Sequence, residues 1–247
     1  MSIQEVAQKL RSAQRVVVLT GAGVSAESGV PTFRDAQTGL WAQYNPEDLA
    51  TPYAFITNPK LVWDWYAWRR ELVAQAMPNP GHFALVSLEQ LVPEFTLITQ
   101  NVDNMHQRAG SRNVIELHGN IMLTRCDLCF QRVESWGDTA EIPPRHVNCG
   151  GWLRPDVVWF GEKLNENDLD YANYASMKCE LFLSIGTSGK VYPAADMPEL
   201  ALQAGATVVE INPHETPISQ RCTYVLRGAS GVVLPQLVQA VSSAHEH

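Results

Sequence analysis

Short apolar runs recur along this chain at residues 16–19, 95–99, 114–117, 156–160, 181–185, 208–211 and 224–226. Runs of three to five residues are too short for a buried helix, and a strand with one wet face would alternate apolar and polar residues instead. Helical patterns such as residues 81–91 lie between them. That rhythm predicts a parallel, doubly wound α/β sheet buried on both faces. At the start, Ser2-Ile3-Gln4-Glu5 matches a capping box, and Ile3, Val6, Ala7 and Leu10 form a helical stripe. Two stretches break the rhythm, 28–80 and 119–155, and the second carries three cysteines. They predict a smaller domain built from insertions, 36–80 and 119–155, beside a larger one of 1–35, 81–118 and 156–247. Ligands of such sheets sit outside the carboxyl ends of the strands, so the residues that follow each run are the informative ones.

With 247 residues, 45% of them hydrophobic, the chain can bury a sizeable core. Eighteen Lys and Arg against 26 Asp and Glu give a net charge of −8, a field that repels phosphate backbones and anionic lipid. Nucleic acid and membrane are therefore not expected as partners. The first fifteen residues are too polar for a signal peptide or a span, so the expected location is the cytoplasm. In that compartment, closely spaced thiols point to metal or chemistry rather than disulfides.

Leu19-Thr20-Gly21-Ala22-Gly23-Val24-Ser25-Ala26 fits the glycine turn in which bare backbone approaches a pyrophosphate. Taken alone it reads equally as a tight strand-to-helix turn without ligand. A dehydrogenase would place an acidic residue about 20 positions on, at the end of the next strand. Here Glu47 and Asp48 have the spacing but lie inside an insertion, and the turn runs on through Pro31-Thr32-Phe33-Arg34-Asp35. The pattern suits a dinucleotide site with a lid over its nicotinamide end better than a simple hydride-transfer site.

Together with Thr99-Gln100-Asn101-Val102-Asp103, Leu117-His118-Gly119-Asn120, Phe160-Gly161-Glu162 and Gly186-Thr187-Ser188, these segments make the chain resemble the sirtuin family of NAD-dependent protein lysine deacylases. The blocks follow the family's order over roughly residues 15 to 235. The resemblance implies a Rossmann-like doubly wound sheet with a smaller zinc-binding domain. It implies His118 as general base, and an imidazole pKa near 6.5 suits removal of a ribose proton at neutral pH. Asn101 would hold the ribose and a water, and Asp103 the nicotinamide carboxamide. The implied NAD contacts are Gly21, Ala22, Gly23, Ser25, Thr32, Phe33, Arg34, Gln100, Asn101, Asp103, Gly186, Thr187, Ser188, Asn212, Pro213 and Ser230. Phe33 would shield the reactive face once nicotinamide leaves, while Phe160, Gly161, Glu162 and Val191 would pair with the peptide backbone as an added strand. The implied reaction consumes one NAD per acyl group and yields nicotinamide, free lysine and O-acyl-ADP-ribose.

Cys126-x2-Cys129 is followed after 16 residues by His146-x2-Cys149, near the spacing of a tetrahedral zinc knuckle. The family carries four cysteines, and His146 stands where the third would be. The pattern allows a Cys3His site or a module that has lost its metal. Zinc takes imidazole as well as thiolate, which favours one structural Zn2+ per chain. Cys179 and Cys222 read as small buried hydrophobes without a role.

Asn58-Pro59 opens a helix in which Tyr66 and Arg69, three apart, share a face. By resemblance, a Tyr-x-x-Arg pair here, with Ala50 leaving room, marks the sirtuin class that removes succinyl, malonyl or glutaryl groups. A guanidinium and a phenol suit a terminal carboxylate. The expectation is an enzyme acting on acylated lysine in proteins or peptides, removing succinyl, malonyl and acetyl groups, as a monomer. The rivals are an NAD-dependent ADP-ribosyltransferase and a non-catalytic NAD-sensing module.

Overall fold

The computed structural model describes residues 2–30, 42–136 and 140–243. Its strands are β1 (Arg15–Thr20), β2 (Glu94–Thr99), β3 (Val114–Glu116), β4 (Gly119–Cys126), β5 (Leu153–Val157), β6 (Leu181–Ile185), β7 (Thr207–Ile211) and β8 (Tyr224–Leu226). Six form a parallel sheet in the order β3-β2-β1-β6-β7-β8. The order reverses between β1 and β6, which opens a crevice beyond their carboxyl ends. The helices are α1 (Ile3–Ser12), α2 (Pro46–Leu49), α3 (Pro52–Thr57), α4 (Pro59–Gln75), α5 (Pro80–Leu91), α6 (Met105–Ala109), α7 (Glu166–Lys178), α8 (Met197–Gln203) and α9 (Ser230–Ser242).

Local chemistry sets many boundaries. Glu5 N–H donates to Ser2 Oγ while Ser2 N–H donates to Glu5 Oε2, closing the capping box of α1. Asn58 Oδ1 accepts from Leu61 N–H at 3.1 Å, and Pro59 supplies the pre-set first turn of α4. On β1, Val16 and Val18 face one core with Val6, Leu85 and Leu234, whereas Val17 and Leu19 face another with Phe182, Met197 and Ala201. Both sets are buried, as a sheet covered by helices on its two faces requires.

One expected strand is placed otherwise. The run at 156–160 does not enter the parallel sheet: the strand is β5, five buried residues paired antiparallel with β4. An apolar run encodes burial but not which sheet buries it. Within β4 the apolar Ile121-Met122-Leu123 falls at a register irregularity between Asn120 and Thr124, which buries Ile121 but leaves Met122 and Leu123 exposed. A third core gathers Ala50, Phe55, Val62, Trp65, Tyr66 and Val73 from the helical insertion with Ile121, Val157 and Trp159 around the hairpin. The two breaks in the rhythm thus share one hydrophobic interior. No helix among the described residues is long and apolar enough to cross a membrane.

Candidate active site

The turn after β1 and the turn after β6 meet backbone to backbone. Gly21 N–H donates to Ile185 O at 3.1 Å and Gly23 N–H to Gly186 O at 2.9 Å. A Cβ on Gly23 would lie 2.8 Å from Gly186 Cα, and Gly186 takes a φ of +60°. These glycines therefore serve the junction of two strand-end loops, and two of the turn's amides are already engaged there. Beside it, Asn101 Nδ2 donates to Ser25 Oγ at 3.1 Å, and Ser25 Oγ lies 3.4 Å from His82 Nε2. His82 Nδ1 accepts Asn79 N–H at 3.2 Å, so the proton of neutral His82 sits on Nε2 and points at Ser25. With both neighbours donating, Ser25 keeps its own proton for another acceptor.

Beneath lies a second buried histidine. His106 Nε2 is 2.9 Å from Thr20 Oγ1, which donates to Thr99 Oγ1, and Asn101 N–H donates to that same oxygen. Burial, and then the nearby His82, push the His106 pKa down to about 3; burial also lowers that of His82. Both rings are neutral at pH 7. The sequence reading missed the pair, whose one signal is an ionisable residue on the buried side of an amphipathic helix. Asp103 is buried, and its Oδ1 accepts Met105 N–H, fastening the entry to α6.

His118 stands two residues beyond β3, half-buried, with Nδ1 2.9 Å from Gln100 O. A carbonyl only accepts, so Nδ1 carries the proton and Nε2 is the bare, basic nitrogen. Burial lowers its pKa, and the Gln100 carbonyl offsets part of that. The next residue must be glycine: Gly119 has φ +79°, and a Cβ would fall 2.2 Å from Asp156 O.

A single segment stitches this imidazole to the acyl-side candidates. Val158 N–H donates to His118 O at 2.8 Å, and Phe160 N–H donates to Ala50 O at 2.9 Å. Between them, Trp159 Nε1–H donates to Tyr66 Oη at 2.9 Å. Ala50 and Tyr66 are buried, and Arg69 is 9% exposed with its guanidinium 5.1 Å from the Trp65 ring centre. Burial raises the Tyr66 pKa to about 12 against the pull of Arg69, so the phenol keeps its proton. The Glu162 carboxylate is engaged internally, with Arg154 at 2.6 and 2.9 Å and Trp159 N–H at 2.8 Å. Phe160 and Gly161 are exposed.

Beyond the ends of β6 and β7, Asn212 Nδ2 donates to Thr187 O at 2.8 Å, and Thr187 Oγ1 lies 3.2 Å from Ser184 Oγ. Ser188 is half-buried and Pro213 exposed, whereas Ser230 is buried at the start of α9 with no hydrogen bond to its Oγ among the described residues. A cavity of about 170 Å³ brings Gln100, Thr187 and Val191 together with Tyr192 and Arg221. Ala22 is exposed on the glycine turn. Thr32, Phe33 and Arg34 lie outside the described residues. The reversal of strand order, the strand-end glycines and the polar set Ser25, Asn101, Thr187 and Asn212 fit an extended dinucleotide.

The metal-ligand pattern closes in space. The donor atoms of Cys126, Cys129, His146 and Cys149 all lie within 4.8 Å of one another. Cys126 Sγ is 3.4 Å from Cys149 Sγ, and His146 Nδ1 is 3.2 Å from both Cys129 Sγ and Cys149 Sγ. A zinc ion at about 2.0–2.3 Å from each would need donor separations of roughly 3.3–3.8 Å. The set fits a Cys3His zinc site through Nδ1, and four protein ligands leave no position for a water. Cys179 is buried and Cys222 half-buried; burial raises both thiol pKa values to about 12, which suits inert packing.

Residues 21–193 match the model of the Sir2 family. An NAD-dependent protein deacylase of Aquifex aeolicus is 56% identical over 83% of this chain and 86% of its own. Among solved structures, a Sir2 homologue in complex with NAD superposes with a TM-score of 0.91 at 46% identity, over 98% of this chain and 94% of that one. A mutant Sir2 homologue with 2′-O-acetyl ADP ribose gives a TM-score of 0.91 at 45% identity, over 100% and 99% of the two chains.

Proposed function

Since this chain belongs to the Sir2 family, we propose that it removes acyl groups from lysine side chains of proteins in a reaction that consumes NAD. The observation that carries the reading is the His118 ring, held through Nδ1 by Gln100 O with Nε2 bare at the strand ends. NAD supplies the ribosyl carbon that takes up the acyl oxygen as nicotinamide departs, and the sugar hydroxyls that finally accept the acyl group. His118 Nε2 removes the proton from a ribose hydroxyl, and its lowered pKa keeps it neutral and ready at pH 7. Asn101, held by Ser25 and Thr99, orients the ribose and a water. Asp103 reads the carboxamide. Gly186, Thr187, Ser188, Asn212, Pro213 and Ser230 face the adenosine half. The peptide enters along Phe160, Gly161 and Val191.

The acyl end is read by Tyr66 and Arg69 beside the small Ala50. A dry guanidinium and a protonated phenol favour a terminal carboxylate, so succinyl and malonyl groups are preferred substrates and acetyl a poorer one. Cys126, Cys129, His146 and Cys149 hold a structural zinc, which fastens the connection between β4 and β5 and takes no part in the chemistry.

The test is mass spectrometry of acetyl-, succinyl-, malonyl- and glutaryl-lysyl peptides incubated with and without NAD. Loss of acyl mass only with NAD, together with O-acyl-ADP-ribose, is expected for the wild type, and no conversion for His118→Ala, which should still bind NAD. ADP-ribose accumulating on the peptide in place of deacylation would overturn the reading in favour of ADP-ribosyl transfer. NAD binding without release of nicotinamide would overturn it in favour of a sensor.

A further inference from the structure

Trp159 belongs neither to the base nor to the acyl-reading pair, yet its indole touches the second and its backbone neighbours touch the first. We propose that Trp159 is a positioning residue for carboxylate-bearing acyl groups, fixing the direction in which the Tyr66 hydroxyl donates. The inference rests on the acyl-reading role given above to Tyr66 and Arg69.

An indole N–H only donates, and so does a guanidinium. Trp159 Nε1–H occupies an acceptor site on Tyr66 Oη at 2.9 Å, both side chains being 2% exposed. Neither Trp159 nor Arg69 can accept the phenol proton. The hydroxyl proton is thereby left for an incoming acceptor, and its pKa of about 12 keeps that proton in place.

The indole is itself immobilised. The Arg154 guanidinium lies 3.2 Å from its ring centre, and Phe55 packs at 5.2 Å. Arg154 forks onto Glu162, whose Oε2 also accepts Trp159 N–H. One rigid chain, from Glu162 and Arg154 through Trp159 to Tyr66, thus sets the donor. The flanking bonds from Val158 to His118 O and from Phe160 to Ala50 O register it against the base.

The experiment compares kcat/KM for succinyl- and acetyl-lysyl forms of one peptide. Trp159→Phe deletes the N–H, and β-(3-benzothienyl)alanine placed at 159 deletes it while keeping the bicyclic shape. Each should lower the succinyl-to-acetyl ratio about 5- to 10-fold, the worth of one oriented hydrogen bond, chiefly through KM for the succinyl peptide. In a Tyr66→Phe background the same substitutions should leave the ratio where Tyr66→Phe put it. A ratio unmoved by the benzothienyl variant, or a fall that persists without the Tyr66 hydroxyl, would overturn the proposal. If Arg69→Met also leaves the ratio unmoved, the acyl-reading assignment fails with it; if Arg69→Met alone moves it, only the role of Trp159 fails.

Discussion

Arg69→Met is the sharpest perturbation of acyl choice. Methionine keeps an unbranched stem against Trp65 and removes the guanidinium of Arg69, a residue 9% exposed on α4. A succinyl carboxylate reaching so dry a place would lose its cation. Removing one partner of a buried charge pair costs about 2–5 kcal/mol. Tyr66 still donates and Arg69 keeps a margin of solvent, which places the loss near the lower end, about 2–3 kcal/mol or roughly 30- to 150-fold. An acetyl group brings only a methyl to the same spot. The succinyl-to-acetyl ratio of kcat/KM should fall by that factor, measured on one peptide sequence in both acyl forms. Arg69→Lys should recover only part of it, since an ammonium cannot make the planar two-point contact. Burial lowers the Arg69 pKa, so folding gains little from holding the charge, and the variant's Tm should stay within a few degrees of wild type. Equal losses on both peptides with Tm unchanged would refute the reasoning.

Acid stability should report the buried histidine pair. His106 titrates near pH 6.5 in the unfolded chain but near 3 in the fold, so below pH 6.5 the unfolded state binds a proton that the native state refuses, and stability falls with pH. Well below pH 6.5 each pH unit costs about 1.4 kcal/mol, which sums to about 2 kcal/mol from pH 6.5 to 4.5; denaturant melts of His106→Gln should lose about one proton's worth of that slope, and an unchanged slope would contradict the assignment. Elemental analysis should find about one zinc per chain, and His146→Ala should lose metal and melt lower. Well under one zinc in pure wild type, with His146→Ala melting like wild type, would remove the metal.

Local signals carried far in this chain. The runs that became β1, β2, β6, β7 and β8, the Ser2 and Asn58 caps, and the ligand pairs Cys126/Cys129 and His146/Cys149 are each written within a few neighbouring residues. Hydrophobic period and cap chemistry act over one turn or one strand, so they survive without knowledge of the rest. His118 was singled out by the family resemblance, and the fold places it two residues beyond β3, against Gln100 O.

Other features exist only once the chain has closed. The pairing of β4 with β5, the contact of Gly23 with Gly186, the ring of His82 beside His106 and the bond from Trp159 to Tyr66 all join residues distant in sequence. An apolar or polar residue announces that it will be buried or bonded, but its partner is chosen by how the layers stack. Trp159 and Tyr66 are 93 residues apart, and only the shared core of the two insertions brings a donor that cannot accept against a phenol that can do both.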